Sequence, residues 1–206
     1  MNGVNEVDMI LGPIFYFQFM EENYLVDIRK LFAYYKTMGE GAMQQVSDKD
    51  LFWQYDSNSN SIAIIVKHIS GNMLSRWTNF LSSDGEKQWR DRDNEFEYEL
   101  GSQKELMGVW NKGWDCLFAA LDSLQPSDLQ KTIYIRNTGH SVSEALNRQL
   151  AHYAAHIGQI IFLAKMISKE KWQSLSIPKG ASKDFNKIKF SKNIENQHFT
   201  DDLTSS

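Results

Sequence analysis

Apolar positions along this chain recur mostly with the period of a helix. From about residue 17 to 46, Met20, Tyr24, Ile28, Leu31, Tyr35 and Met38 follow at spacings of three and four. Such spacing lines side chains along one face of an α-helix. Gly39 and Gly41 predict a weak or kinked end. A second helix is predicted over 61–81, with Ile62, Ile65, Ile69, Met73, Arg76 and Phe80 as its stripe. His68, Asn72, Ser75 and Asn79 form a polar strip beside it. Ser102-Gln103-Lys104-Glu105 has the pattern of a capping box and opens a third helix through Leu106, Trp110, Gly113, Leu117, Leu121 and Leu124. Pro126 closes it. Lys131 to Arg136 alternates as a short strand, with Asn137-Thr138-Gly139 as its turn. Ser141-Val142-Ser143-Glu144 is a second capping box. It opens a fourth helix over 142–167, whose inward face reads Ala145, Gln149, His152, His156, Ile160, Leu163 and Ile167.

Between these elements lie segments without helical period. Residues 1–14 read as a loose arm. Residues 84–97 are densely charged, carry Trp89 and Phe96, and read as a long ordered loop. Residues 172–182 read as loop, and 191–206 as a flexible polar tail. The three prolines, Pro13, Pro126 and Pro178, all fall outside the predicted helices. Four long amphipathic helices without repeat or boundary imply one all-α domain over 1–190, a four-helix bundle with long ordered loops.

Composition narrows the function classes. The net charge of −4 offers no field for nucleic acid or an anionic membrane. The apolar run at 10–19 is interrupted by Gly12, Pro13 and Gln18, too short to span a bilayer, and lacks the marks of a signal peptide. Cys116 is the one cysteine, so no intramolecular disulfide forms. The expected setting is the cytoplasm.

The chemistry concentrates in the histidines. His152 and His156 are four apart, about 40° around a helix and one turn up the same face. Two imidazoles so placed can hold one metal ion, and His68 on the second helix is the best third donor. Three protein ligands with one open position suit a catalytic divalent cation. The bland alternative is three core histidines satisfied by hydrogen bonds. The pair lacks the glutamate of His-Glu-x-x-His, so a zinc-peptidase mechanism is not supported. Gln149 and Gln159 stand near the histidine face and can orient ligands. Arg76 and Arg148 can bind an anion or form surface salt bridges. Cys116, Tyr153 and Trp110 read as packing residues, and His140 and His198 as solvated. No phosphate loop, nucleophile elbow or paired-carboxylate motif occurs.

Several stretches carry a family resemblance. Val66-Lys67-His68-Ile69-Ser70-Gly71-Asn72-Met73, Arg76-Trp77-Thr78, Asp84-Gly85-Glu86-Lys87 and Trp89-Arg90-x-Arg92 are similar to a bacterial branch of the DinB/YfiT-like superfamily. So are His152-Tyr153-Ala154-Ala155-His156-Ile157-Gly158-Gln159-Ile160 and Ser176-Ile177-Pro178-Lys179-Gly180-x-Ser182. That branch is known mainly as a domain of unknown function. The resemblance implies a bundle of up-down-down-up order, often homodimeric, with a metal on His68, His152 and His156. Zinc, nickel, iron or manganese would suit. Some members of the superfamily are thiol S-transferases using a low-molecular-weight thiol, others thiol-dependent isomerases or hydrolases. The resemblance therefore implies a metal-dependent transferase or hydrolase acting on a small electrophilic molecule. It also sets Arg90, Arg92 and Lys179 near the pocket. The alternative is a non-catalytic dimeric bundle, a stress or interaction protein, whose histidines are structural. Fold alone does not choose between these.

Overall fold

A computed structural model describes residues 6–96 and 101–201, with side chains from residue 20 onward. The described residues form five α-helices and one hairpin. These are α1 (Glu6–Met43), α2 (Ile62–Trp77), α3 (Gln103–Ser123), β1 (Thr132–Ile135), β2 (Thr138–Ser141), α4 (Val142–Ser168) and α5 (Ser182–Phe190). Parts of the expected arm, loop and tail, at 1–5, 97 and 202–206, lie outside the described residues. Helix α2 packs on α3, α1 packs on α4, and α2 and α4 meet along the face that carries the histidines.

Helix α2 is the buried centre. The backbone N–H of Ile64 donates to the Ser61 hydroxyl at 3.2 Å, which caps the helix start. Twelve of its sixteen residues are buried, including His68, Asn72, Ser75 and Arg76. The helix stops at Trp77 rather than near residue 81, because Asn79 takes a left-handed backbone (φ 49°) that ends the α-conformation. Helix α3 buries Leu106, Trp110, Trp114, Leu117 and Leu121 at helical spacing. Trp110, Trp114 and Tyr153 form an aromatic ladder, with ring centroids 5.4 and 6.1 Å apart. Gly39 does not kink α1. It clears room for Trp110, whose ring would lie 2.6 Å from a Cβ there.

Helix α4 has the full capping box at Ser141 and Glu144. Its buried stripe is Val142, Ala145, Leu146, Gln149, Tyr153, Ile157, Ile160 and Ala164. This stripe is rotated from the expected one. Tyr153 and Ile157 take the centre, and His152 and His156 stand half-buried at its edge. With its continuation to Lys171, this helix is long and apolar enough to cross a membrane by length and composition (mean hydropathy 1.2). Here it is a core helix, with one stripe packed in the protein and histidines along its length.

Three further local expectations are corrected, and one helix is added. Helix α1 begins at Glu6, not near residue 17, and takes in Pro13. Proline removes one backbone hydrogen bond, which a 38-residue helix survives. The hairpin turns at Arg136 and Asn137, both with positive φ, so Thr138 to Ser141 is a strand and His140 lies on it. Helix α5 occupies a stretch just past the expected loop. Residues 198–201 of the expected flexible tail are docked on α1: His198 bonds Asp27 at 2.7 Å and Lys30 bonds Asp201 at 2.8 Å. Thr200 is 1% exposed there.

Candidate metal centre

The α2–α4 face brings His68, His152 and His156 together. One ring nitrogen of each lies within 4.8 Å of the other two. The ring centroids stand 5.6 Å (His68–His152), 5.0 Å (His68–His156) and 4.6 Å (His152–His156) apart. A tetrahedral ion bound at about 2.0–2.1 Å needs donors roughly 3.4 Å apart.

Each imidazole is prepared for ligation in a different way. Glu95 Oε2 stands 3.0 Å from His68 Nδ1. Its contacts with His68 and Arg90 outweigh burial and hold Glu95 below the ordinary carboxylate range. An ionised carboxylate only accepts, so Nδ1 is the donor in this contact and the ring is held in place by it. His156 Nδ1 donates in the same way to Gln159 Oε1 at 2.9 Å. His152 Nε2 is buried and has no hydrogen-bond partner. Burial, with His156 and His68 beside it, pushes the His152 pKa down to about 4. Burial also lowers that of His156, against the pull of Gln159. Both rings are therefore neutral near pH 7, the form that binds a cation. The buried Nε2 of His152 is thus a polar atom that the protein alone does not satisfy. The three histidines fit a divalent cation.

Glu95 was not singled out by sequence reasoning. It sits in a 3-10 turn at Asp93–Glu95, far along the chain from His68. Arg90 clamps it through two bonds, Nε to Oε1 at 2.8 Å and Nη2 to Oε2 at 3.0 Å. Gly71 makes the approach possible, since a Cβ on that residue would overlap Glu95 Oε1. A glycine inside a helix beside a candidate histidine was the one signal in the sequence.

A cavity of about 170 Å³ opens on the centre. His68, Asn72, Gln149 and His152 line it together with Arg76, Arg90, Arg92, Arg136 and Arg148. Arg90 and Arg92 thus stand where the resemblance implied, and Lys179 is not among the lining residues. Arg76 is buried and bonded to the Gly85 carbonyl and, at 3.0 Å, to Glu86, so it is no surface pair. Cys116 is half-buried beside Thr78 and stands outside the histidine group. Tyr153 and Trp110 are core, as expected. Neither remaining histidine is simply solvated: His140 meets Arg148 at 3.2 Å and His198 is held by Asp27 and Thr200.

No curated protein and no solved structure matches the chain. The profile of one family, described as a protein of unknown function (DUF1572), matches residues 19–181. That span holds all three histidines, Glu95 and every arginine of the cavity, and the chain belongs to this family.

Proposed function

We propose that the chain is a divalent-metal-dependent enzyme of the DinB/YfiT-like kind. In this reading it is a four-helix bundle of up-down-down-up order in which His68, His152 and His156 hold the ion. The observation that carries the reading is the buried, partnerless Nε2 of His152, grouped with His68 and His156 beside a cavity. Zinc, nickel, iron or manganese suits three imidazoles. A divalent cation bound there supplies Lewis acidity and makes a water or low-molecular-weight thiol a stronger nucleophile near neutral pH.

The chain's own residues supply the rest. Glu95 holds the His68 ring, and Arg90 holds Glu95. Gln159 does the same for His156. Tyr153, fixed by Asn72 at 3.0 Å and Trp77 at 3.2 Å, anchors the helix turn that carries His152. In this reading one end of a small electrophilic molecule enters the cavity and its reactive part lies beside the histidines. The reaction class is thiol transfer or hydrolysis, and a cytoplasmic setting suits the single reduced Cys116.

Self-association is part of the proposal. Phe162 and Met166 on α4 are 63% and 45% exposed, an apolar face suited to a second copy of the chain. Light scattering on the purified protein tests this. The same face would serve a non-catalytic dimer with structural histidines, but that alternative leaves His152 Nε2 unexplained. To test the enzymatic reading, the zinc-loaded protein and its His152→Ala variant are incubated with small thiols and electrophilic substrates. Thiol consumption or hydrolysis by the parent and not the variant supports it. Background rates for both across thiol and hydrolase panels contradict it.

A further inference from the structure

The cavity beside the histidines carries an unusual charge. Of its nine lining residues five are arginines, and none is acidic. Two carboxylates stand behind them. Glu86 meets Arg76, Arg90 and Arg136 at 3.0, 3.8 and 3.2 Å, and Glu95 meets Arg90. With Asp84, whose carboxylate also acts on Arg76, five guanidiniums face three carboxylates, an excess of two positive charges in a chain whose net charge is −4. Like charges crowded into a partly desolvated space repel, and a buried guanidinium is normally fully paired.

Pairing here is incomplete. The side chains of Arg76 and Arg90 are only 7% and 2% exposed, yet Arg76 Nε has no partner. Gln149, 3% exposed, has an equally orphaned Oε1. Four buried side-chain atoms among the described residues lack a partner, and three of them belong to this one cavity: Arg76 Nε, Gln149 Oε1 and His152 Nε2. At the rim, Arg92 and Arg148 have no carboxylate partner among the described residues. Arg92 lies over the Phe96 ring at 5.5 Å, and Arg148 bonds His140 at 3.2 Å.

We propose that this cavity binds a compact oxyanion, the phosphate, phosphonate or carboxylate end of the substrate. Arg92 and Arg148 close on it from the rim and Arg76 meets it at the floor. Guanidinium groups recognise such oxyanions through paired N–H donors, and Arg90 keeps the floor positive while it holds Glu95. Cavities that take whole ligands run to roughly 300–1,000 Å³. A space of about 170 Å³ takes the anionic end and leaves the reactive part of the molecule beside His68 and His152. Calling the anion part of a substrate rests on the enzymatic reading above; the oxyanion site itself rests on the arginines alone.

The test uses the metal-free, full-length protein. Inorganic phosphate, methylphosphonate and acetate are titrated in at constant ionic strength held with chloride, with arginine Nε–H resonances as the readout. The comparison variant is R92Q/R148Q, which alters only exposed side chains and whose fold is checked by circular dichroism. Zinc content after loading is measured on both. The expected result is saturable binding of at least one oxyanion, weakened about tenfold or more in the variant, with zinc retention unchanged. A preference for phosphate or for acetate identifies the end group, and either supports the site. Equal affinity in parent and variant, or no saturable binding of any of the three, overturns it. Zinc retained without anion binding sinks this proposal and spares the metal centre. Anion binding without zinc retention does the reverse.

Discussion

His152 and Tyr153 are neighbours on α4, yet they belong to different kinds of protein interior. Tyr153 is fully buried, edge-on to the Trp114 ring and tilted against that of Phe32, and its hydroxyl both donates to Asn72 and accepts from Trp77. Nothing on that side chain is left over. His152 is half-buried, and its buried Nε2 has no partner. The first region is a packed core in which the Tyr153 hydroxyl is fully answered, although the buried Nε1 of Trp114 beside it lacks a partner. The second is built from groups that protein alone does not satisfy. Of the four partnerless buried side-chain atoms among the described residues, three fall in the second region and one, Trp114 Nε1, in the first.

The contrast can be broken most forcefully from the packed side. Trp114→Ala should cost about 3–5 kcal/mol of stability, read from denaturant unfolding, because it opens a cavity in the aromatic ladder. A loss below about 1 kcal/mol would show that the ladder is not the mechanical base of the site. On the open side, Glu95→Gln should leave unfolding nearly unchanged and weaken zinc binding about 10–100-fold, since it removes the carboxylate that orients His68. Competition with a chelator of known affinity measures this. Unchanged affinity would mean that Glu95 is a structural partner of Arg90 only.

Smaller effects sharpen the comparison. Tyr153→Phe should cost about 1–2 kcal/mol, because it strands the Trp77 indole N–H in the core. His152→Leu in the metal-free protein should cost nothing measurable or stabilise slightly, since it removes an atom that lacked a partner. A reversal of that order in thermal unfolding would refute the division into two regions. The smallest effect concerns Asp84, which clamps the hairpin turn by accepting the N–H groups of Arg136 and Asn137, each at 2.8 Å. Burial raises the Asp84 pKa, but the donors of Asn137, Glu86 and Arg136 outweigh it and leave the pKa below the ordinary value. Its contribution is therefore full above the ordinary aspartate range and lost as pH falls through the lower folded value. Hydrogen exchange at the hairpin should quicken there in the parent, whereas Asp84→Asn should exchange fast at every pH.

The sequence made the histidine centre legible because helix geometry and spacing suffice for it. His152 and His156 are local to one helix, and the Ser102 N-cap and the Ser141 capping box set the starts of α3 and α4 within a residue or so. The rotation of the α4 stripe was harder to read, because Tyr153 and His152 are both plausible inward residues and only packing against Trp114 decides. Glu95 and the five arginines come from two helices, a loop and a hairpin turn. No local period joins Arg76, Arg92, Arg136 and Arg148, and their convergence exists only once the Asp84 clamp and the positive-φ turn at Arg136 are formed. Long-range side-chain bonds likewise hide the docking of His198 and Asp201 on α1, where composition alone suggests a free tail.

The most direct test of the metal centre is elemental analysis of the purified, untagged protein beside the His68→Ala/His152→Ala/His156→Ala variant. The account predicts about one divalent ion per chain in the parent and none in the variant, with helix content retained in both. No bound metal in the parent after incubation with zinc, or the same metal content in both proteins, would contradict it.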